Sequence, residues 1–77
     1  IPSVFPSAQR VLSNREIEVL ALIVKGFINK EIADRLNVSL STIISHRKNI
    51  IEKLNRKSVG SLTIYAVMHG YVSINEL

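Results

Sequence analysis

Signals that start and stop α-helices recur along this chain and favour a helical fold. Ser13 and Glu16 have the spacing of a capping box, in which each residue's side chain accepts a hydrogen bond from the other's backbone amide. Apolar residues then recur every three or four positions, and Gly26 supplies a residue that tolerates positive φ. The sequence therefore predicts a first helix over about residues 14–25.

Three further helices are predicted from signals of the same kind. Asn29, Ser39 and Ser58 are suited to cap helix N-termini, because a short polar side chain can accept an orphan amide hydrogen. Asn37 tolerates a left-handed turn, and Gly70 can close the last helix. The predicted helices span about residues 14–25, 30–36, 40–54 and 59–69. No segment shows a strand pattern, so we predict an all-α domain that resembles a four-helix bundle.

Composition narrows the possible functions. The chain has 77 residues and no cysteine, which excludes disulfides, thiolate zinc sites and cysteine nucleophiles. Ser39, His46 and Asp34 could be written as a catalytic triad, but a helical body of this size offers no oxyanion hole. Two histidines 23 positions apart give little support to a metal site. We expect no enzyme activity, no metal and no cofactor.

The ends of the chain indicate its organisation. Residues 1–11 contain two prolines and no sustained period, which is typical of a linker or N-terminal arm, so the folded domain is expected at residues 12–77. No apolar run approaches the roughly 20 residues that cross a bilayer, and we expect no membrane contact and a cytoplasmic location. The chain begins with Ile1, and we expect that an upstream segment is missing.

The second and third predicted helices have the spacing of a helix-turn-helix. Such a unit needs a small residue where the helices meet, a turn residue that tolerates positive φ, and apolar anchors on both sides. Ala33 and Asn37 meet the first two needs. The apolar anchors are Ile32, Leu36, Val38 and Ile43.

A helical wheel separates the faces of the third helix. One sector, expected in the core, contains Leu40, Ile43, Ile50, Ile51 and Leu54. The opposite sector contains Ser41, Ser45, Lys48 and Glu52, with Thr42 and Asn49 on one flank and Ile44 on the other. A helix whose outer N-terminal half is short and polar fits a DNA major groove about 12 Å wide. The net charge of +4 agrees with this, because every basic residue of the second half lies between Arg47 and Lys57. The alternative for this basic run is an ordinary solvated helix end.

Five motifs together resemble the LuxR/NarL-type DNA-binding domain over about residues 12–72. They are Leu12-Ser13-x-Arg15-Glu16-x-Glu18-Val19-Leu20, Gly26-x-x-Asn29-Lys30-Glu31-Ile32-Ala33, Val38-Ser39-x-x-Thr42-Ile43, His46-x-x-Asn49-Ile50-x-x-Lys53-Leu54 and Ala66-x-x-x-Gly70-Tyr71-Val72. The resemblance implies a four-helix helix-turn-helix unit at the C-terminus of a bacterial transcription regulator. It also implies an upstream receiver or signal-binding domain, as in two-component response regulators, and double-stranded DNA as the partner.

The resemblance assigns roles to individual residues. Its base-reading positions match Ile44, Ser45 and Lys48. Ile44 departs from the pattern, since many members have Lys or Arg there, and an isoleucine can only touch a thymine methyl or fill space. The expected phosphate contacts are Lys30, Thr42 and Lys53 from the resemblance, and Arg47, Asn49, Arg56 and Lys57 from their places on or beside the third helix.

The fourth helix has two possible outer faces. Val59, Leu62, Thr63 and Ala66 suit the core, which leaves Ile64, Val67 and Met68 on another face. That face is either a wide core stripe covered by the tail or, as the resemblance implies, a homodimer contact used on DNA.

Two other functions remain open at this stage. A sigma-factor promoter-reading domain shares Glu31-Ile32-Ala33 and Ser39-x-x-Thr42-Ile43, and its partner would be RNA polymerase. Alternatively, the apolar Ile64 and Met68 face belongs to a helical protein-interaction module that binds no nucleic acid.

Overall fold

The computed structural model describes residues 12–77, and every regular element in this range is helical. The predicted linker at residues 1–11 lies outside the described residues. The elements are α1 (Asn14–Val24), α2 (Asn29–Leu36), α3 (Leu40–Leu54), α4 (Val59–Met68) and a 3₁₀ helix (Ile74–Glu76). The prediction of an all-α fold with four α-helices is confirmed.

The capping predictions hold at three of the four helices. Ser13 accepts the Glu16 amide at 3.2 Å while Glu16 accepts the Ser13 amide at 2.9 Å. Ser39 and Ser58 cap α3 and α4 through their hydroxyls alone, which accept the Thr42 and Ser61 amides. Asn37 has φ 57°, the predicted left-handed turn. These local hydrogen bonds account for the agreement in helix bounds to within one residue.

The predicted N-cap of α2 is wrong. Asn29 is the first residue of the helix, and Ile28 occupies the cap position. The Glu31 carboxylate accepts the Ile28 amide at 3.0 Å, so the helix end is closed from its third residue. This leaves the Asn29 side chain available for a contact with α3.

One apolar core holds the helices together. α1 packs against α4 and α3, and α2 packs against α3. The buried apolar residues are Leu12, Val19, Leu20, Ile23, Val24, Ile32, Ala33, Ile43, Ile50, Leu62, Ala66 and Val72. The core predicted from the sequence also includes Leu40 of α3 and Val59 of α4, but these residues are 47% and 46% exposed. Each is the first residue of its helix, where the side chain tilts towards the N-terminus and away from the packed faces.

The segment after α4 folds back onto α1, which the sequence pattern did not predict. Gly70 has φ 75°, and Val72 inserts into the core. A 3₁₀ helix follows, and Glu76 forms an ion pair with Lys25 at 3.0 Å. The tail is therefore packed against the C-terminal end of α1.

Candidate DNA-binding surface

The structure brings the three predicted base-reading residues together on one exposed face of α3. Ile43 and Ile50 are fully buried and fix the orientation of the helix against α1 and α2. The opposite side carries the exposed side chains that we call the reading face, namely Ser41, Ile44, Ser45 and Lys48. The reading face is free to approach a partner without any change in the core.

Hydrogen bonds among hydroxyl groups stabilise the first turn of α3. Ser39 Oγ lies 2.8 Å from Thr42 Oγ1 and 3.1 Å from Ser41 Oγ, and it accepts the Thr42 amide. This turn contains no acidic residue. A negatively charged partner would therefore meet a fixed, polar helix end without charge repulsion.

Arg47 connects α3 to the start of α2. Its Nη1 donates to Asn29 Oδ1 at 3.2 Å, and both side chains are half-buried. The neighbouring Lys30 is exposed. Arg47 thus couples the two helices of the helix-turn-helix while its guanidinium stays near the surface.

Lys53 forms an ion pair with the one buried charged side chain among the described residues. Lys53 Nζ lies 2.7 Å from Glu16 Oε1, and Glu16 is only 4% exposed. Burial by itself raises the pKa of the Glu16 carboxyl, but hydrogen bonds from Lys53 and Ser13 outweigh it and hold this pKa below its ordinary value. The pair links the N-terminus of α1 to the C-terminal half of α3.

The other predicted phosphate contacts surround the ends of α3. Arg56 donates to Ser61 Oγ at 3.0 Å, and its guanidinium lies 5.6 Å from the centre of the Tyr65 ring. Asn49 and Lys57 are exposed, whereas Thr42 is half-buried. Arg56, which lies between α3 and α4, therefore packs against α4, while the Lys57 side chain is exposed to solvent.

The predicted dimer face on α4 is only partly exposed. Ile64 and Met68 are exposed, and Met68 reaches 75%. Val67 is half-buried and packs against the core. The exposed large apolar residues of α4 are therefore Ile64 and Met68, together with Val59 at the first position of the helix.

Neither a metal site nor a membrane segment is found in the part of the chain that the structure describes. No group of three or more His, Asp or Glu side chains in residues 12–77 is placed to hold a metal ion. Of the helices in that range, none combines the length and apolar character that a membrane crossing requires.

Sequence reasoning missed the partners of two basic residues. The position of Arg47 on α3 predicts a phosphate contact, whereas its hydrogen bond to Asn29 depends on how α2 begins. Lys53 was assigned to a phosphate, and nothing in its local sequence pointed to Glu16, 37 positions away. The capping box did identify Glu16 as a fixed carboxylate, which was the one available signal.

Comparison with known proteins identifies the family. The model described as bacterial regulatory proteins, luxR family, matches residues 10–66. Over 58 residues, covering 75% of the chain, the sequence is 52% identical to the oxygen regulatory protein NreC of Staphylococcus carnosus (strain TM300). It is 48% identical over the same length to the proteins of that name from Staphylococcus epidermidis (strain ATCC 12228 / FDA PCI 1200) and Staphylococcus aureus (strain JH9).

The match covers only part of these relatives. The aligned region spans 27% of the length of each NreC protein. No solved structure gives a significant match. The family model covers well over half of the chain, including all of α1, α2 and α3 and most of α4. The chain therefore belongs to the luxR family of bacterial regulatory proteins.

Proposed function

We propose that this domain binds double-stranded DNA sequence-specifically, as the output domain of a bacterial transcription regulator. The observation that carries the proposal is the reading face of α3, whose polar and basic side chains are exposed while Ile43 and Ile50 hold the helix from behind. A helix presented in this way can enter the major groove, where base edges are distinguishable. Membership in a family of regulatory proteins supports the same function.

Charge and exposure indicate which residues contact bases and which contact phosphates. Lys48 can donate to guanine O6 and N7, and Ser45 discriminates weakly between bases. Lys30 and Lys57 are exposed at opposite ends of the helix-turn-helix and suit phosphate contacts. We assign further phosphate contacts to Thr42, Arg47, Asn49, Lys53 and Arg56.

Some of these assignments require a cation to serve two partners. Lys53 is about one-third exposed while it binds Glu16, so its ammonium can reach a phosphate without leaving that carboxylate. Arg47 likewise uses one guanidinium nitrogen on Asn29 and has others available. Phosphate binding then positions α3, and base contacts specify the site.

The aligned region spans about a quarter of each NreC protein. We assign the DNA-binding step to this domain, and signal reception to a receiver or signal-binding domain of a two-component-type cytoplasmic regulator. Contact with RNA polymerase belongs to that larger protein.

A salt titration tests DNA binding directly. Neutralising phosphates releases counterions, so the logarithm of affinity should fall linearly with the logarithm of salt concentration, with a slope of about −0.9 per phosphate. With about five contacts, the expected slope is roughly −4 for a monomer. Fluorescence anisotropy with a labelled duplex measures it. A response that stays flat down to low salt would show that the domain is not a DNA-binding module.

We further propose that two copies pair on adjacent half-sites through Ile64 and Met68. Their exposure on one side of α4 supports a small apolar contact, which would be stable only when DNA or an upstream dimer brings the copies together.

Met68→Glu should abolish cooperative binding to a two-half-site duplex and leave binding to one half-site unchanged. Ile74→Glu is the control, because Ile74 is exposed and lies outside α4. Thr63→Glu would not serve, because Thr63 is half-buried in the same helix. Cooperativity that survives Met68→Glu would rule out this contact.

A further inference from the structure

Leu40 and Ile44 form an exposed apolar pair at the edge of the reading face. Leu40 is 47% exposed and Ile44 is 51% exposed. They lie four positions apart on α3, so their side chains are neighbours on one side of the helix. The pair has no place in the core, where Ile43 and Ile50 already fill the buried side of α3.

The position of this pair places it where a recognition helix meets DNA. Leu40 is the first residue of α3, and helix-turn-helix proteins bring the N-terminal residues of the second helix against base edges. The hydroxyls of Ser39 and Thr42, 2.8 Å apart, fix this turn. That turn contains no acidic residue, so no negative charge within it opposes the approach of the two apolar side chains to the groove floor.

One feature of the major groove matches an apolar pair. Each base edge there offers hydrogen-bonding groups, and thymine alone adds a C5-methyl group. Burying that methyl against Leu40 or Ile44 removes apolar surface from water, while a cytosine edge would place a polar amino group against them. Hydrophobic side chains can therefore select thymine without any hydrogen bond.

We propose that Leu40 and Ile44 read the methyl groups of thymines at neighbouring base pairs, and so determine A·T positions within each half-site. The inference rests on the proposed function, because it requires α3 to enter the major groove. It adds Leu40 to the base-reading residues and gives Ile44 a defined ligand group. Lys48 and the apolar pair would then read different bases of one half-site.

Deoxyuridine substitution tests the inference, because it removes only the methyl group and keeps the pairing edge. A duplex is first obtained by binding-site selection with the 77-residue chain. Each thymine is then replaced singly by deoxyuridine, and affinity is measured by anisotropy. The expected result is a loss of about three- to fivefold at one or two adjacent positions, the effect of burying one methyl-sized group.

Three variants identify the residues responsible. Leu40→Ala and Ile44→Ala should each bind the thymine and deoxyuridine duplexes equally at the position that residue reads. Both positions are exposed and alanine favours helices, so the fold should persist in these variants. Ile74→Ala is the matched control, since Ile74 is 73% exposed but lies in the 3₁₀ helix. It should discriminate as the unmodified chain does.

Two outcomes would overturn the inference while DNA binding stands. One is an unmodified chain that binds every deoxyuridine duplex as tightly as the parent duplex. The other is undiminished discrimination in both Leu40→Ala and Ile44→Ala. A flat titration on the parent duplex is a different result, because it would overturn the proposed function and this inference with it.

Discussion

Ile43→Ala is expected to destabilise the domain by about 2–4 kcal/mol, the cost of deleting a buried isoleucine side chain beyond Cβ. Ile43 is fully buried, and it lies where α3 packs against α1 and α2. A domain of this size has little stability to spare, because small chains bury a smaller share of their surface. Thermal unfolding followed by circular dichroism at 222 nm should show a melting temperature lower by at least about 10 °C.

The adjacent residue provides the control for this change. Ile44→Ala deletes the same atoms one position further along α3, where the side chain is 51% exposed. Its free energy of unfolding should change by less than about 0.5 kcal/mol. Equal destabilisation by the two substitutions would contradict the orientation of α3 and, with it, the reading face.

The helix bounds could be predicted because their signals are local. Ser13 and Glu16 cap each other across three positions, and Ser39 caps α3 across the same distance. Asn37 tolerates positive φ by its own chemistry, whatever surrounds it. Such interactions are complete within one turn, so a sequence pattern contains all of their partners.

The contacts that orient α3 could not be predicted in the same way. Arg47 and Asn29 are 18 positions apart, and Lys53 and Glu16 are 37 positions apart. A helical wheel gives the direction of a side chain, but the packing of α1 and α2 decides what it meets. The exposure of Leu40 shows a second limit of the helical wheel. A wheel treats all turns alike, whereas the first turn of α3 extends past the core.

The candidate reading residues were predictable for a related reason. Ser45 and Lys48 lie opposite Ile43 and Ile50, and a buried face fixes the direction of the exposed one. The roles of those residues came from the family resemblance, which the match to the luxR family confirms at the level of the domain.

Lys48→Ala is expected to weaken binding to the selected duplex by about 5- to 150-fold, because one guanine contact contributes about 1–3 kcal/mol of discrimination. Lys48 is exposed and makes no hydrogen bond or ion pair within the described residues, so the fold should be unchanged. The loss should disappear when the contacted guanine is replaced by another base. Anisotropy titrations with both duplexes measure the effect, and circular dichroism verifies the helical content.

Two comparisons separate base reading from general attraction to DNA. Lys57→Ala removes an equal charge from an exposed position just after α3. It should weaken binding to all sequences alike and reduce the salt slope by about 1. Lys48→Arg should restore the preference for guanine, since arginine donates to the same O6 and N7 acceptors. If Lys48→Ala instead lowered affinity uniformly, as Lys57→Ala does, Lys48 would be a phosphate contact and the specificity of the domain would have to arise elsewhere on α3.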